Sequence, residues 1–194
     1  MTTVATRRTV LRASAGLAAV ILGGSWPVQA NAVEVGQKAP NFDLLATTGG
    51  NISLAQFRGK LVLIEFYGAD FAPVCGENLS ARKVDFDKLQ ALGVQVLGIS
   101  TNHHFSQKAF ADSLKLPYPL LSDESMAVSK SYKVVYGHTP GKTDYPHLKD
   151  KIAKRYFFLV DREGIVRGKW LGEDLAVFPS EILVKAASDL VGRR

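Results

Sequence analysis

The sequence predicts an α/β fold, a three-layer sandwich in which a mixed central sheet has helices on both faces. Apolar β-branched runs alternate with segments whose apolar residues recur at helical spacing, and a glycine-containing hairpin precedes the last helix. The chain has 194 residues, enough for one ordinary domain and short for two. With 46% hydrophobic and 22% charged residues it can bury a core, which excludes extended disorder.

The first strands, which follow residue 40, are predicted from turn residues and β-branched runs. Residues 42–46 and 51–54 flank Thr48-Gly49-Gly50, a sequence typical of a hairpin turn. Residues 60–67 read KLVLIEFY, an almost continuous apolar run. Such a run is typical of a strand that is buried on both faces of a parallel sheet, so we predict a central strand here.

A helix is predicted over residues 73–92. Its apolar residues, from Cys75 to Leu89, recur at spacings that return to one helix face. Pro73 suits the first turn, because the N–H that it lacks would have no partner within the helix at that position. We therefore expect Cys75 to lie near the N-terminus of this helix and to face inward.

The second half of the chain continues the alternation and ends in a hairpin and a helix. A polar region with several glycines and prolines, residues 137–154, predicts a solvated loop. The remaining predicted elements are strands at 94–101, 119–122, 155–161 and 165–171, and helices at 106–116, 126–132 and 180–191.

The N-terminus has the layout of an export signal. Residues 6–12 read TRRTVLR, residues 13–24 are apolar and small, and residues 30–32 read ANA. A basic start, an apolar centre and a small-x-small exit define such a signal, and the paired arginines resemble the twin-arginine type. The alternative, an amphipathic helix of the folded domain, is disfavoured because no acidic residue balances the arginines there.

We therefore expect residues 1–32 to be a twin-arginine signal peptide that is cleaved near Ala32, with the twin-arginine export machinery as a partner. Residues 33–194 are expected to form the functional domain in the periplasm or otherwise outside the cytoplasm. The signal contains three of the chain's 24 Lys and Arg and none of its 18 Asp and Glu, so the mature chain is only mildly basic. No helix carries a basic stripe interleaved with aromatic residues, which argues against nucleic-acid binding.

Cys75 is the only cysteine of the chain. This excludes an intrachain disulfide, a four-thiolate zinc site and a self-contained two-cysteine redox centre, and we expect neither a metal nor a cofactor. At the start of a helix, unpaired N–H groups and the helix dipole favour the thiolate, which is the nucleophilic form. The alternative is that Cys75 is only a small buried hydrophobic residue.

Several motifs resemble, in order and spacing, those of peroxiredoxins of the alkyl hydroperoxide reductase and thiol-specific antioxidant family, over roughly residues 35–190. The resemblance implies a thioredoxin-like fold, a peroxide substrate and an external thiol or thioredoxin-like reductant, and it is compatible with a homodimer. The motifs are GQKAPNFDL at 36–44, SL at 53–54, GKLVL at 59–63, FY at 66–67, PVC at 73–75, VLGIS at 96–100, LPYPLLSD at 116–123, YKV at 132–134 and RYFFLVD at 155–161.

In that family the peroxidatic cysteine has the place of Cys75, and an arginine has the place of Arg155. A guanidinium does not deprotonate at accessible pH, so it can stabilise both a thiolate and the negative charge on the departing peroxide oxygen. The product is a sulfenic acid at Cys75. Ser80 stands where some relatives carry a resolving cysteine, so the resemblance implies a one-cysteine mechanism.

Three positions near Cys75 depart from the family pattern. The family's proline and threonine are replaced by Gly68 and Ala72, and its glutamate three residues after the cysteine is replaced by Asn78. The threonine hydroxyl contacts the sulfur and the peroxide in the family. Its loss favours an alternative function, a peroxidase-inactive thioredoxin-fold protein that binds a partner outside the cytoplasm. A disulfide reductase is disfavoured, because the Cys-x-x-Cys pattern has become Ala72-x-x-Cys75.

Polar residues beside the nucleophile are candidates to replace that hydroxyl. Tyr67 and Asp70 follow the central strand, and Glu65 lies within it. A carboxylate in a central strand needs a partner charge, so we expect Glu65 to be oriented by a cation and regard Tyr67 as the stronger candidate.

Overall fold

The structure is a computed structural model that describes residues 33–138, 145–173 and 175–192. The predicted signal peptide, residues 1–32, lies outside the described residues. Among the residues that are described, no helix is long and apolar enough to cross a bilayer.

The core of the fold is a seven-stranded mixed sheet with the strand order β2-β1-β5-β4-β3-β6-β7. The pairs β3–β4 and β4–β5 are parallel, and the other four pairs are antiparallel. The strands are β1 (Asp43–Ala46), β2 (Asn51–Ser53), β3 (Leu61–Phe66), β4 (Val94–Ser100), β5 (Leu120–Ser122), β6 (Tyr156–Val160) and β7 (Val166–Leu171).

Helices cover both faces of this sheet, which confirms the predicted α/β sandwich. Successive residues of a strand point to opposite faces, so β3 contributes Leu63 to one apolar cluster and Ile64 to another. The Leu63 face carries α1, α2, α3 and α5, and the Ile64 face carries α4 and the segment from Val33 to Phe42. The helices are α1 (Pro73–Val84), α2 (Phe86–Ala91), α3 (His104–Leu114), α4 (Ala127–Ser131) and α5 (Ser180–Val191), with 3-10 turns at Leu54–Phe57 and Pro146–Leu148.

The prediction of one helix over residues 73–92 is wrong, because Asp85 separates α1 from α2. Its backbone has φ −95° and ψ 6°, outside the helical region, and its carboxylate accepts a hydrogen bond from Lys88 at 2.7 Å. A short polar side chain that bonds locally competes with the helical backbone. The apolar spacing continues across this break, so the pattern does not reveal it.

The polar region at residues 137–154 is also more structured at its ends than a solvated loop. The N–H of Tyr136 donates to the carbonyl of Ile152 at 2.9 Å, and Lys154 is only 4% exposed. An isolated bridge pairs Val135 with Ala153. Residues 139–144 lie outside the described residues. The two ends of the region therefore pack together, and they place Lys154 beside the start of β6.

The sheet topology brings two distant segments to one edge. In the antiparallel pair of β3 and β6, Phe66 lies opposite Tyr156. The residues that follow β3 and those that precede β6 consequently meet at the same end of the sheet. Cys75 and Arg155 are in these two segments.

Candidate active site

Cys75 lies in the first turn of α1, as predicted. Pro73 is at the start of the helix, and the N–H of Cys75 donates to the carbonyl of Ala72 at 3.0 Å. The cysteine is 4% exposed and belongs to the apolar cluster on the α1 face of the sheet. The sulfur is thus held at the N-terminus of a helix and largely shielded from solvent.

Arg155 brings its guanidinium to this sulfur. Its Nη2 lies 3.8 Å from the Cys75 Sγ, and its Nη1 donates to the carbonyls of Glu173 and, at 3.3 Å, Ala176. Gly172 is required beside it, since a Cβ there would approach the Arg155 Cδ to 2.8 Å. Backbone carbonyls and a close glycine therefore hold the guanidinium beside the sulfur. Arg155 is itself buried, with 5% of its surface exposed.

A cavity of about 90 Å³ opens onto the pair. A single water needs roughly 10–15 Å³ by this type of measure, so the cavity accommodates a molecule of a few heavy atoms. Among the described residues around it, the charged side chains are Lys154 and Arg155. The lining residues are Gly68, Ala69, Ala72, Val74, Cys75, Tyr136, Tyr145, Leu148, Ile152, Ala153, Lys154 and Arg155.

Gly68 and Ala72, two of the positions that depart from the family pattern, both line this cavity. Ala72 is the N-cap of α1, and no side chain caps the helix there. An alanine supplies neither an acceptor for the first N–H groups nor a donor for a ligand. A Cβ at position 68 would lie 3.2 Å from the Ile152 side chain, so the glycine allows the 152 region to approach.

Asn78, the third departing position, ties α1 to the segment that holds Arg155. Its Nδ2 donates to the carbonyls of Val74, at 2.7 Å, and Ala176, at 3.3 Å, and its Oδ1 accepts from the N–H of Phe178 at 2.9 Å. A carboxylate could make only the last of these bonds, because it has no donor when ionised. Asn78 and Arg155 share the Ala176 carbonyl, so the amide positions the arginine indirectly.

Tyr67 is not among the residues that line the cavity. Its hydroxyl donates to Asp70 at 2.9 Å, and its ring packs against Phe110 with centroids 6.3 Å apart. Burial, and next the charge of Asp70, raise the pKa of the Tyr67 phenol well above its usual value, so the phenol stays protonated. In this arrangement Tyr67 supports the 67–70 turn and does not stand in for a threonine hydroxyl at position 72.

Glu65 is fully buried on the α1 side of the sheet, and two arginines, Arg82 and Arg155, act on it electrostatically. Burial raises its pKa from the usual 4.5 to about 7, although the positive charges of Arg82 and Arg155 oppose the rise. Positive charges therefore act on Glu65, but its carboxylate makes no hydrogen bond to a described residue, so the expected orientation by a directly bound cation is not found.

Sequence reasoning missed Arg82 and the apolar wall of the cavity. Arg82 follows Cys75 by seven residues, two helical turns, so heptad spacing could have placed it on the same buried face. No periodic spacing identifies the apolar wall, which consists of Tyr145, Leu148 and Ile152. These residues lie in a polar region that contains glycine and proline. Across the described ranges, no group of three or more His, Cys, Asp or Glu is arranged to hold a metal ion.

The chain is similar to known proteins in sequence and in fold. The sequence model of the AhpC/TSA family matches residues 35–169. The chloroplastic peroxiredoxin Q of Suaeda salsa is 37% identical over 138 residues, which cover 70% of this chain and 58% of that protein. The chain therefore spans less than two thirds of that relative's length.

Solved structures share the fold. The crystal structure of Enterococcus faecalis AhpC superimposes with a TM-score of 0.71 and 25% identity, over 84% of this chain and 96% of that one. The reduced 2-Cys peroxiredoxin of Plasmodium vivax gives a TM-score of 0.70 and 26% identity, over 80% of this chain and 81% of that one. The predicted thioredoxin-like architecture is thereby confirmed.

Proposed function

Because the chain belongs to the AhpC/TSA family of peroxiredoxins, we propose that it is a one-cysteine thiol peroxidase that reduces hydrogen peroxide or small organic hydroperoxides at Cys75. The observation that carries this proposal is the 3.8 Å contact between the Arg155 Nη2 and the Cys75 Sγ at the wall of a small cavity. A nucleophile, a fixed cation and space for a substrate of a few atoms are present together.

In the oxidative step, the Cys75 thiolate attacks one oxygen of the peroxide. An S–O bond forms, the O–O bond breaks, and its electron pair leaves with the distal oxygen, which takes up a proton and departs as water or an alcohol. The sulfur is oxidised to a sulfenic acid and the peroxide is reduced. Arg155 stabilises the charge that develops on the departing oxygen, and its backbone partners spare it from reorganising during the reaction.

The reductive step requires a thiol from another molecule, because Cys75 is the only cysteine. An external thiol, small or carried by a thioredoxin-like protein, displaces water from the sulfenic acid and forms a mixed disulfide. A second thiolate then attacks the external sulfur of that disulfide and releases Cys75 in its reduced form. Since Cys75 is only 4% exposed, the external thiol has to reach the sulfur through the cavity, whose wall includes Leu148 and Ile152.

The cavity supports small substrates. Its volume of about 90 Å³ suits hydrogen peroxide and short alkyl hydroperoxides, and its walls contribute apolar side chains from Tyr145 to Ile152. Hydrogen peroxide is therefore the appropriate first substrate for an assay.

Cys75→Ser is expected to abolish the activity. The mature protein should catalyse oxidation of dithiothreitol by hydrogen peroxide, and dimedone added during turnover should label Cys75 by mass spectrometry. The substituted protein should leave only the uncatalysed reaction, because serine is not a nucleophile at neutral pH without a general base. With a single cysteine in the chain, no second thiol obscures the result.

The opposite outcome would favour the partner-binding function. The absence of a side-chain hydroxyl at Ala72 is the observation behind that alternative. If the folded protein gives no dimedone adduct and does not accelerate peroxide consumption, the peroxidase proposal is refuted.

We further propose that the protein acts outside the cytoplasm. The twin-arginine pattern at residues 6–12 and the small residues at 30–32 support this proposal. A bacterial cell that expresses the full chain should accumulate a periplasmic product shortened by about 32 residues, and Arg7→Lys together with Arg8→Lys should retain the full-length chain inside. Equal export of both forms would contradict the proposal.

A further inference from the structure

A buried cluster of charges lies behind the Cys75–Arg155 pair. It consists of Glu65, Arg82 and Arg155, which are 0%, 0% and 5% exposed. Both carboxylate oxygens of Glu65, the Nε and Nη1 of Arg82 and the Nε of Arg155 are buried and make no hydrogen bond to any residue that the structure describes. Unpartnered polar atoms in a protein interior are costly, so this cluster is not explained by stability.

The register of β3 with β6 places Glu65 and Arg155 on the same face of the sheet, the face that α1 and Arg82 cover. Glu65 in β3 lies directly opposite Phe157 in β6, and Arg155 is two residues before Phe157, so all three side chains project to the same side. The Arg82 guanidinium lies 5.4 Å from the centroid of the Phe157 ring and donates to the carbonyl of Phe178 at 2.7 Å. Glu65 is thus within the field of both guanidiniums, one of which also contacts the Cys75 sulfur.

We propose that Glu65 is a positioning residue that competes with the Cys75 sulfur for the positive charge of Arg155, so that protonation of Glu65 increases the fraction of Cys75 present as thiolate. When Glu65 is neutral, Arg155 stabilises the sulfur anion. When Glu65 is ionised, the carboxylate takes part of that stabilisation and repels a second anion nearby. The consequence for peroxide reduction rests on the proposed function, whereas the coupling of charges does not.

The groups that act on Glu65 come from three elements. Among the described residues they are Arg82 of α1, Arg155 before β6 and Tyr118 before β5. Burial raises the pKa of Tyr118 well above its usual value, and its hydroxyl donates to the Leu79 carbonyl at 2.7 Å, so it stays neutral. A guanidinium in general does not deprotonate at accessible pH. The pKa of Glu65, about 7, therefore makes it the member of this set that changes charge near neutral pH.

The direct test is the rate of Cys75 alkylation by iodoacetamide between pH 5 and 9, since the thiolate is the reacting form. In Glu65→Gln the midpoint of the rate profile should move to lower pH by about one unit, the size of shift that a nearby charge produces. Glu77→Gln is the matched control, because Glu77 is an exposed carboxylate of α1 two residues from Cys75. Solvent screens that charge, so its profile should stay close to that of the unsubstituted protein. Coincident profiles for Glu65→Gln and the unsubstituted protein would overturn the proposal.

The unsubstituted protein gives an independent result should Glu65→Gln not fold. Two interacting groups titrate as a coupled pair, so its alkylation profile should be broader than a one-site curve. A profile that follows a single ionisation would overturn the proposal without any substitution.

The melting temperatures of Glu65→Gln and of the unsubstituted protein, measured as a function of pH, supply a further test. A raised pKa means that native Glu65 holds its proton more tightly than the unfolded chain does. Its contribution to stability is therefore full below about pH 4.5 and is lost as the pH rises through about 7. The melting temperature of Glu65→Gln relative to the unsubstituted protein should rise across this window. A pH-independent difference would show that Glu65 does not titrate there and would overturn the proposal.

The two proposals fail separately. A shifted alkylation profile in Glu65→Gln with no peroxide-dependent labelling of Cys75 supports the coupling and refutes the peroxidase. Cys75-dependent peroxide consumption with coincident alkylation profiles supports the peroxidase and refutes the role of Glu65.

Discussion

Replacement of Arg155 by Gln is expected to slow the oxidation of Cys75 by hydrogen peroxide by roughly 100- to 1,000-fold, the usual cost of removing one fixed donor from a transition state. The guanidinium is held 3.8 Å from the sulfur by carbonyls and is desolvated, so bulk water does not compensate for its loss. The second-order rate constant is best measured by quenched flow with mass-spectrometric detection of the free thiol. Arg155→Lys should give an intermediate rate, because an ammonium keeps the charge but cannot bind the sulfur and both carbonyls as a planar fork.

Arg58→Gln is the matched control for that loss. Arg58 is an exposed arginine whose guanidinium bonds to the Glu163 carbonyl at the opposite end of the sheet. Its removal changes the net charge equally but leaves the sulfur's surroundings intact, so the rate should be unchanged. A folded Arg155→Gln protein that reacts as fast as Arg58→Gln would remove the basis for the proposed mechanism.

Ala72→Thr is expected to increase the rate of Cys75 oxidation by up to roughly 100-fold, because it adds a hydroxyl donor at the wall of the cavity. The same hydroxyl can accept a hydrogen bond from an N–H in the first turn of α1 and still donate to the sulfur or the peroxide. As an N-cap it should also raise the free energy of unfolding by about 1 kcal/mol. Urea unfolding and quenched-flow kinetics on the same preparation measure the two effects.

Ala72→Val separates the hydroxyl from the volume it occupies. Valine has nearly the shape of threonine but neither caps a helix nor donates a hydrogen bond. It should therefore produce neither gain and, by narrowing the cavity, should slow the reaction. Equal rates for the threonine and valine proteins would mean that the missing hydroxyl is not what limits this site.

Local sequence patterns were enough to predict much of the scaffold. The apolar run of β3, the proline at the start of α1 and the inward position of Cys75 each follow from forces that act within a few residues. The break at Asp85 was not predictable from apolar spacing, since Phe86 and Leu89 continue the pattern while a side-chain bond to Lys88 diverts the backbone.

Less of the candidate site could be predicted from local sequence patterns. The importance of Arg155 came from family resemblance, because no local rule relates it to Cys75. The segment that contains Tyr145 and Ile152 contributes to the cavity through tertiary packing that its composition does not suggest. Glu65 was expected to need a counter-charge, but which cations meet it depends on the register of β3 with β6.

The sulfur and its guanidinium are 80 residues apart in the chain. They can meet only after β6 has docked against β3, and a contact of such long sequence separation incurs a large loop-closure entropy before it gains any energy. A chain in which β6 has not yet paired with β3 therefore has no guanidinium beside Cys75. The proposed peroxide reduction depends on this strand pair, so an incompletely folded chain should consume peroxide no faster than a free thiol does.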